Sequence, residues 1–251
     1  MLAIERKRQI LEMLDRDQQV VVTELSQKFG VTEETVRRDL HKLNSEGLLD
    51  RTHGGAVARK VDPEDVPYWI RQTTNSAAKR QIATRAATLV QNGNALVIDS
   101  SSTAYEVLHQ LQRFNDLTII TNSVRIISNP TATKHTIISV GGELRRRSMT
   151  FVGPVANQAI AQFNADLALI SCKALSQKGG VMEVSVPDAE VKRALIQSAR
   201  RVCLLVDGDK FDETALVGVC SFEPIDVIVT DRQPRDTWPD FLARQGVELM
   251  L

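Results

Sequence analysis

Residues 20–57 constrain the fold most strongly, because they combine two short helical patterns, a glycine between them and a glycine-rich hairpin. Thr23 is suited to cap a first helix over residues 24–29, and Gly30 tolerates the left-handed turn that follows it. Thr32 is suited to cap the second helix, since its hydroxyl can accept from a free amide one turn in. This order of elements predicts a helix-turn-helix with a ribbon behind it.

The second helix is predicted to have one buried face and one charged face. Val36, Leu40 and Leu43 recur at helical spacing and form the stripe that packs on a core, and Gly47 ends the helix. The opposite side carries arginine, histidine and lysine, which can contact bases and phosphates in the major groove of duplex DNA. The predicted DNA contacts of this helix are Thr32, Glu34, Thr35, Arg37, Arg38, His41 and Lys42.

A hairpin is predicted after this helix, with strands over residues 48–51 and 56–59. Gly54 and Gly55 are expected to form its tight turn with positive φ. Such a ribbon, or wing, can reach the DNA backbone beside the groove. The predicted DNA contacts of the wing are Arg51, His53 and Gly54.

Net charge does not identify this region as a DNA-binding domain. Residues 1–60 hold 11 Lys and Arg residues and 10 Asp and Glu residues, so a solvated helix of mixed charge is the alternative interpretation. The glycine turn, the two caps, the apolar stripe and the glycine-rich ribbon together favour a winged helix-turn-helix.

The N-terminal region resembles a known family through the runs ERKRQILEML and TVRRDLHKLNSEGLLDRTHGGAV. Both are similar to the DeoR family of bacterial transcriptional regulators. The resemblance implies that the TVRRDL segment, with Thr35, Arg37, Arg38 and Asp39, belongs to a recognition helix. It also implies that His53 to Ala56 belong to the wing and that the partner is double-stranded operator DNA.

Three segments are predicted along the chain. They are a small winged helix-turn-helix domain over residues 1–58, a linker over 59–75 and a larger α/β domain over 76–251. The linker is rich in proline and acidic residues and lacks a clear period, although Tyr68 and Trp69 are expected to dock on a domain.

The N-terminal domain is expected to open with a helix over residues 3–15 and to add a short strand over residues 20–22 beside the wing. The helix should turn an apolar face toward the other two helices. That face consists of Ile4, Ile10, Leu11 and Leu14.

From residue 76 onward, short β-branched apolar runs alternate with helical stretches. Buried strands separated by helices predict a mostly parallel sheet that is covered by helices on both faces. The fold class is therefore α/β. The predicted strands cover residues 95–99, 117–121, 136–140, 166–172, 202–207, 226–230 and 247–250.

Small polar residues and glycines follow five of these strands, and ligands in open α/β sheets bind outside the carboxyl ends of strands. Residues 100–103 open a helix and can hold an anion, while two lysines can supply positive charge and two acids can accept from sugar hydroxyls. Helix capping is the better explanation for any single loop, but several polar loops at one edge favour a pocket. The predicted effector contacts are Asp99, Ser100, Ser101, Ser102, Thr103, Thr121, Asn122, Ser123, Gly141, Gly142, Glu143, Lys173 and Lys210.

The segments VIDSSST, TNS, VGGELRR, VGP, DAEVK and DGDKF resemble the DeoR-family sensor domain, which is related in fold to ribose-phosphate isomerase. The resemblance implies a phosphate at residues 100–103. Asp188, Glu190 and Lys192 match a family segment whose role does not follow from their spacing. Many family members have a small turn containing Gly or Asp where this chain has residues 171–173. Because Lys173 can narrow the pocket or change its charge, the resemblance does not identify the effector.

The predicted function is a DNA-binding transcriptional regulator, a repressor of a carbohydrate-catabolic operon that a phosphorylated sugar or polyol releases from DNA. Symmetric operators imply a homo-oligomer, either a dimer or a tetramer. An activator would have the same sequence features. The alternative is a sugar-phosphate isomerase with an appended DNA-binding domain. Its base would be Glu143, Asp207 or Asp209, and its electrophile Lys173 or Lys210.

Other sites are less well defined by the sequence. Residues 145–147 are three consecutive arginines, which form either a solvated loop or a contact with phosphate, DNA or a partner subunit. Cys172, Cys203 and Cys220 lie in apolar runs and are expected to be buried and reduced. We expect no metal, no cofactor and no catalytic residue. Without a membrane span or a signal-peptide core, a cytoplasmic location is expected.

Overall fold

The computed structural model describes residues 2–58, 68–129 and 134–251 of the chain. Contacts divide the chain into two units, Met1–Thr74 and Asn75–Leu251, and each unit has a hydrophobic core of its own.

The first unit contains four helices, α1 to α4, and a three-stranded antiparallel sheet with the strand order β1-β3-β2. The predicted stripe on α3 closes its core, because Val36, Leu40 and Leu43 are at most 1% exposed. The elements are α1 (Ala3–Asp17), β1 (Gln19–Val21), α2 (Val22–Phe29), α3 (Glu33–Ser45), β2 (Leu49–Arg51), β3 (Gly55–Ala58) and α4 (Tyr68–Thr73).

The turn between α2 and α3 agrees with the sequence, whereas the start of α2 does not. Gly30 has a left-handed φ of 63°, and the hydroxyl of Thr32 accepts a hydrogen bond from the Thr35 amide at 3.3 Å. The prediction that Thr23 caps α2 is wrong. That helix begins at Val22 directly after strand β1, so Thr23 lies inside it and no side chain caps it.

The inner face of α1 differs from the prediction at one position. Ile10 and Leu14 are buried and Leu11 is partly buried, but Ile4 is 44% exposed. Arg6 instead turns inward and is 5% exposed, because it pairs with an acidic side chain of α3.

The wing contains the two predicted strands, but the expectation of positive φ at its glycines is wrong. Gly55 lies in β3 opposite Val21, and an added Cβ there would stand 1.9 Å from the carbonyl oxygen of Val20. Gly55 is therefore needed because two strand backbones approach closely, and not because of its turn conformation.

Residues 68–73 of the predicted linker form helix α4 and dock on the first unit. Tyr68 is 2% exposed, and the indole nitrogen of Trp69 donates to a carboxylate oxygen of Glu46 at 3.2 Å. Residues 59–67, which include the predicted end of the wing and the proline-rich part of the linker, lie outside the described residues.

The second unit is built on a sheet of seven strands, all of them parallel, in the order β15-β14-β12-β9-β4-β5-β6. The prediction of a parallel sheet is confirmed. Its strands are β4 (Ala95–Ile98), β5 (Thr118–Thr121), β6 (Thr136–Ser139), β9 (Leu167–Ser171), β12 (Val202–Leu205), β14 (Val227–Val229) and β15 (Glu248–Met250).

Helices cover both faces of this sheet, because the side chains of each strand alternate between two apolar clusters. In β4, for example, Val97 packs in one cluster and Leu96 and Ile98 pack in the other. The helices are α5 (Ser76–Ala86), α6 (Ser102–Leu111), α7 (Val124–Ile127), α8 (Pro154–Ile160), α9 (Val186–Gln197) and α10 (Thr237–Arg244).

Two antiparallel sheets were not anticipated from the sequence. One is a hairpin of β7 (Glu143–Arg145) and β8 (Thr150–Val152), and the other joins β10 (Ala174–Ser176), β11 (Gly180–Glu183) and β13 (Val217–Cys220). Both use strands of three or four residues, which are too short for a reliable alternation of apolar and polar side chains.

Two of the three cysteines are buried as predicted, and Cys220 is partly buried. Burial raises the pKa of the Cys172 and Cys203 thiols to about 12, so these thiols stay protonated at neutral pH. Within the described ranges, the structure contains no helix that is long and apolar enough to cross a membrane.

Candidate functional sites

The outer face of α3 is a basic surface held in place by the buried stripe behind it. Arg38 and His41 lie opposite Val36 and Leu40 on the helix, and their side chains are exposed. Of the predicted DNA contacts, Thr35 is half-buried. The exposed ones are Thr32, Glu34, Arg37, Arg38, His41 and Lys42 on α3 and its cap, and Arg51, His53 and Gly54 on the wing.

Some of these side chains have local partners. Arg37 pairs with Glu33 at 2.6 Å across one helical turn, and Thr35 shares a hydroxyl contact of 3.0 Å with Thr32. The Arg37 pair is exposed and therefore weak, so a phosphate oxygen could replace Glu33. Thr32 and Thr35 have a clear structural role in starting the helix.

Asp39 has a role that sequence reasoning missed. Its carboxylate is 2.5 Å from the Nε of Arg6 in α1, and both side chains are buried. The signal was present, since Asp39 sits beside Leu40 and one turn after Val36, on the apolar stripe. A charged residue on a buried stripe requires a partner.

The N-terminal part of α1 adds positive charge close to α3. Burial and the charge of Lys42 lower the pKa of Lys7, while Asp39 and Glu46 oppose this shift. Lys7 follows Arg6, which contacts Asp39 of α3, so Lys7 adds positive charge beside the basic surface of α3.

The loops that follow β12, β9, β4, β5 and β6 meet at one edge of the parallel sheet, because these strands are consecutive neighbours. Direct hydrogen bonds join three of the loops. Lys210 donates to the hydroxyl of Ser171 at 3.1 Å, and the amide of Ser171 donates to a carboxylate oxygen of Asp99 at 3.0 Å. The structure thus brings together residues that are more than a hundred positions apart.

A buried charged cluster supports this edge and was not predicted. Lys192 of α9 pairs with Asp99 at 2.5 Å and with Glu183 at 3.3 Å. Burial alone would raise the pKa of Asp99, but the charge and hydrogen bond of Lys192 bring it below its ordinary value. Burial likewise opposes the charge on Lys192, and the two carboxylates outweigh it and raise the Lys192 pKa.

Both carboxylate oxygens of Asp99 are engaged inside the protein. The side chain is 1% exposed, and its two oxygens accept from Ser101, Ser171 and Lys192. Asp99 therefore shapes the loop from below, and its predicted contact with sugar hydroxyls stays a prediction.

The start of α6 is a capped helix N-terminus. The hydroxyl of Ser101 caps the helix by accepting from the Ala104 amide at 3.0 Å, and the Ser101 amide is fixed by Asp99 at 2.9 Å. Ser100 and Ser101 are half-buried, whereas Ser102 and Thr103 are buried. The hydroxyl of Thr103 is without a hydrogen-bond partner among the described residues.

The loop after β5 is mostly occupied by its own hydrogen bonds. Thr121 donates to the carbonyl of Ile98 at 2.6 Å and accepts from the amide of Ser123 at 3.0 Å. Ser123 caps α7, a helix of one turn, and both side chains are almost completely buried. Thr121 and Ser123 therefore hold the loop in shape, and their predicted contact with an effector stays a prediction.

Asn122, between these two residues, keeps a free acceptor. Its amide nitrogen donates to the hydroxyl of Thr150 at 2.8 Å and to the carbonyl of Phe151 at 3.2 Å. Its side-chain oxygen is buried and has no partner in the part of the chain that the structure describes. A ligand hydroxyl could satisfy that oxygen.

The loop after β6 depends on two glycines with positive φ. Gly141 has a φ of 64° and Gly142 a φ of 108°, and a Cβ on Gly142 would stand 2.7 Å from the carbonyl oxygen of Val152. Glu143 follows as an exposed side chain at the start of β7. Lys173 is also exposed, whereas Lys210 is half-buried and 3.4 Å from Asp207.

The first arginine of the basic run makes an internal contact. Arg145 donates to the carboxylate of Asp188 at 2.8 Å and to the hydroxyl of Ser185 at 3.0 Å. Both partners are at the start of α9. Arg145 is therefore held by α9 and is not part of a freely solvated loop, while the predicted contacts of residues 145–147 with phosphate, DNA or a partner subunit stay predictions.

The chain matches known families and proteins over most of its length. Residues 6–61 match the DeoR-like helix-turn-helix domain, and residues 74–232 match the DeoR C terminal sensor domain. The transcriptional repressor AccR of Agrobacterium fabrum is 35% identical over 248 residues, which cover 97% of this chain and 96% of that protein. The glycerol-3-phosphate regulon repressor of Escherichia coli is 32% identical over 249 residues, which cover 98% of each.

Among solved structures, ribose 5-phosphate isomerase from Plasmodium falciparum aligns with 53% of this chain and 52% of its own length. The sequence identity is 13% and the TM-score is 0.39. A similarity at this level supports no inference about function.

Proposed function

Because the chain belongs to the DeoR family of DNA-binding transcriptional regulators, we propose that it represses a carbohydrate-catabolic operon and is released from operator DNA by a phosphorylated sugar or polyol. The observation that carries the proposal is the exposed basic face of α3, fixed from behind by the buried stripe of Val36, Leu40 and Leu43. A helix held in this way can enter a major groove as a rigid element.

We propose that Arg38 and His41 contact base edges, because they are at the centre of the outer face. The flanking Arg37 and Lys42, together with the wing residues Arg51 and His53, would contact phosphates. Each neutralised phosphate releases counterions, so operator affinity should fall steeply as the salt concentration rises.

The proposed effector site is the carboxyl edge of the parallel sheet. The start of α6 would take the phosphate, since the helix dipole favours an anion there. Lys210 would supply positive charge, and the free oxygen of Asn122 would accept from a hydroxyl. The proposed contacts are Ser100, Ser101, Ser102, Thr103, Asn122, Gly141, Gly142, Glu143, Lys173 and Lys210.

Release requires that the effector bind the DNA-incompetent state more tightly than the DNA-bound state. A coupling free energy of about 1–3 kcal/mol would change operator affinity by roughly 5- to 150-fold. We propose a homo-oligomer, a dimer or a tetramer, because a symmetric operator presents two half-sites separated by about 34 Å or a multiple of it.

The experiment that tests the proposal begins with a random duplex library, from which the full-length protein selects its operator. Fluorescence anisotropy then measures the affinity for that duplex at several salt concentrations, with and without a panel of phosphorylated and unphosphorylated sugars and polyols. We expect release by a phosphorylated compound and none by its unphosphorylated counterpart. Selection of no sequence, or release by none of the phosphorylated compounds, would contradict the proposal.

An isomerase function is less well supported, because the predicted bases are engaged or exposed. Asp207 is buried and pairs with Lys210, Asp209 pairs with Arg232, and Glu143 is exposed. Incubating the same phosphorylated compounds with the protein would decide the matter, since a sensor binds its ligand and leaves it unchanged.

A further inference from the structure

Asp188 and Lys192 are one helical turn apart on α9 and therefore project from the same face of that helix. They belong to the DAEVK segment, whose role did not follow from the sequence. Each forms an ion pair beside a different loop of the proposed effector site. Lys192 reaches Asp99 at 2.5 Å, and Asp188 reaches Arg145 at 2.8 Å.

The first contact controls the start of α6. Asp99 accepts from the amide of Ser101, which caps that helix, and from the amide of Ser171 at the end of β9. Lys192 neutralises the charge of Asp99 in a buried environment. The conformation of the proposed phosphate loop, residues 99–103, therefore depends on a side chain of α9.

The second contact controls the glycine loop. Arg145 ends strand β7, which begins directly after Gly141 and Gly142. Its guanidinium bonds to Asp188 and also to Ser185, whose hydroxyl caps α9 by accepting from the Asp188 amide at 3.3 Å. The hairpin that carries the glycine loop is thus fastened to the first turn of α9.

We propose that Asp188 and Lys192 make α9 a clamp that sets the distance between the phosphate loop and the glycine loop. The inference rests on the proposed function, because it assigns these residues to the effector site of that function. Both act as positioning residues: Lys192 is buried beneath the phosphate loop, and Asp188 acts through Arg145. Arg145 is accordingly a structural partner of the helix and not a ligand of the effector phosphate.

The two ion pairs differ in how much their removal would destabilise the fold. The side chains of Lys192 and Asp99 are 9% and 2% exposed, so removing Lys192 leaves the buried carboxylates of Asp99 and Glu183 without their cation. The side chains of Arg145 and Asp188 are 29% and 20% exposed, and water can solvate either one after its partner is removed. Arg145→Ala is therefore the first variant, and Arg145→Lys is the conservative variant that retains the charge.

Arg193→Ala is a matched control, because Arg193 is the residue after Lys192 on the same helix. Its guanidinium donates to the carbonyls of Gly218 and Val219 in β13, away from both loops. Removing it deletes an arginine contact of α9 without touching the clamp.

Hydrogen–deuterium exchange of the full-length protein without any ligand tests the positioning itself. In Arg145→Ala, peptides that cover residues 141–145 should exchange at least several-fold faster, while Arg145→Lys and Arg193→Ala should resemble the wild type there. Lys192→Met should accelerate exchange at residues 99–104. Unchanged exchange in peptides from α10 and β15 would show that the domain remains folded. Unchanged exchange at both loops in these variants would overturn the clamp, whether or not an effector is known.

Ligand binding tests the consequence, with inorganic phosphate and the most effective compound of the phosphorylated panel as probes. Arg145→Ala should weaken the binding of the phosphorylated compound by about 10-fold. Residues that orient the ligands of metal sites have effects of this size, and Arg145 orients a loop in a comparable way. Arg145→Lys should recover most of that loss, and operator affinity without effector should remain that of the wild type.

Two further outcomes are informative. If Arg145→Ala abolishes phosphate binding while loop exchange stays unchanged, Arg145 is a direct phosphate ligand and the clamp is wrong. If the wild type binds no phosphorylated compound, the proposed function fails, and the ligand-free exchange data still decide whether α9 positions the loops.

Discussion

The Nε of Arg6 in α1 lies 2.5 Å from a carboxylate oxygen of Asp39 in α3, and both side chains are buried. The helix that carries the proposed DNA contacts is therefore joined by charge to the first helix, as well as by apolar packing. The orientation of α3 depends on a residue that is 33 positions away in the sequence.

Arg6→Ala should destabilise the first unit by about 3–5 kcal/mol, because it leaves the buried carboxylate of Asp39 without its partner. Arg8→Ala is the control, since Arg8 is on the same helix and pairs with Glu5 and Glu12 in more exposed positions. That change should cost about 0–1 kcal/mol. Native-state hydrogen exchange of α1 and α3 measures both free energies, and equal losses in the two variants would contradict the prediction.

Gly55→Ala should disrupt the wing, because the new Cβ would overlap the carbonyl oxygen of Val20. We expect a loss of about 1–3 kcal/mol, typical of overpacking, and a lower operator affinity. Gly54→Ala is the control for stability in the same turn, since no atom lies within 4 Å of its Cβ position. Thermal unfolding and anisotropy would reveal the difference, and a stable Gly55→Ala variant with normal affinity would refute this account of the wing.

Arg38→Ala should reduce the free energy of specific operator binding by about 1–3 kcal/mol, as expected for a lost base contact. The fold should not change, because Arg38 is exposed. Arg16→Ala removes another exposed arginine, at the end of α1, and should leave affinity for the selected duplex almost unchanged. Anisotropy titrations at one salt concentration compare the variants. Unchanged affinity in Arg38→Ala would remove this residue from the recognition surface.

Ser101→Glu should prevent effector-dependent release while operator binding persists, because a carboxylate at the start of α6 would repel a phosphate. Ser101→Ala separates repulsion from the loss of the cap, which should cost about 1 kcal/mol of stability. Release of each variant from the operator by the active phosphorylated compound is the measurement. If Ser101→Glu responds like the wild type, the phosphate binds elsewhere.

The ion pair between Lys192 and Asp99 predicts how stability depends on pH. Because the folded pKa of Asp99 is below its unfolded value of about 3.9, its contribution is present above that pH and is lost as the pH falls. Lys192 has a raised pKa, so its contribution is lost only as the pH rises above about 10.4. Urea unfolding of the wild type and Asp99→Asn should give a constant difference in free energy between about pH 5 and 9. The difference should shrink below about pH 4, and a difference that shrinks between pH 5 and 9 would contradict the assignment.

The regular parts of the fold could be predicted from the sequence because they follow local rules. Apolar runs with β-branched residues marked the strands of the parallel sheet, and Thr32 and Gly30 marked the turn between α2 and α3. The same rules were wrong at Thr23, since the approach of β1 and not a side-chain cap decides where α2 begins. Spacing alone could not distinguish these two threonines.

The candidate effector site was predicted as a set of loops but not as a set of contacts. The loops come together because the carboxyl ends of parallel strands lie at the same edge of a sheet, which follows from the class of fold. Which polar groups face a ligand depends on partners from distant parts of the chain, such as the 93 positions between Asp99 and Lys192. Thr121 therefore forms hydrogen bonds within the protein, and Lys192 pairs with Asp99 beneath the site.

The strand order of the parallel sheet has a consequence for how the chain reaches its native state on the ribosome. β4 pairs with β5 on one side and with β9 on the other. β4 ends at Ile98, and β9 begins only at Leu167, which is synthesised much later. At about 5–20 residues per second, β4 would wait roughly 4–14 s for that neighbour. During this interval the early half of the sheet presents a hydrophobic strand with an open edge, the kind of surface that invites misassembly. The join between β4 and β9 is therefore the step at which the second unit depends most on timing during synthesis.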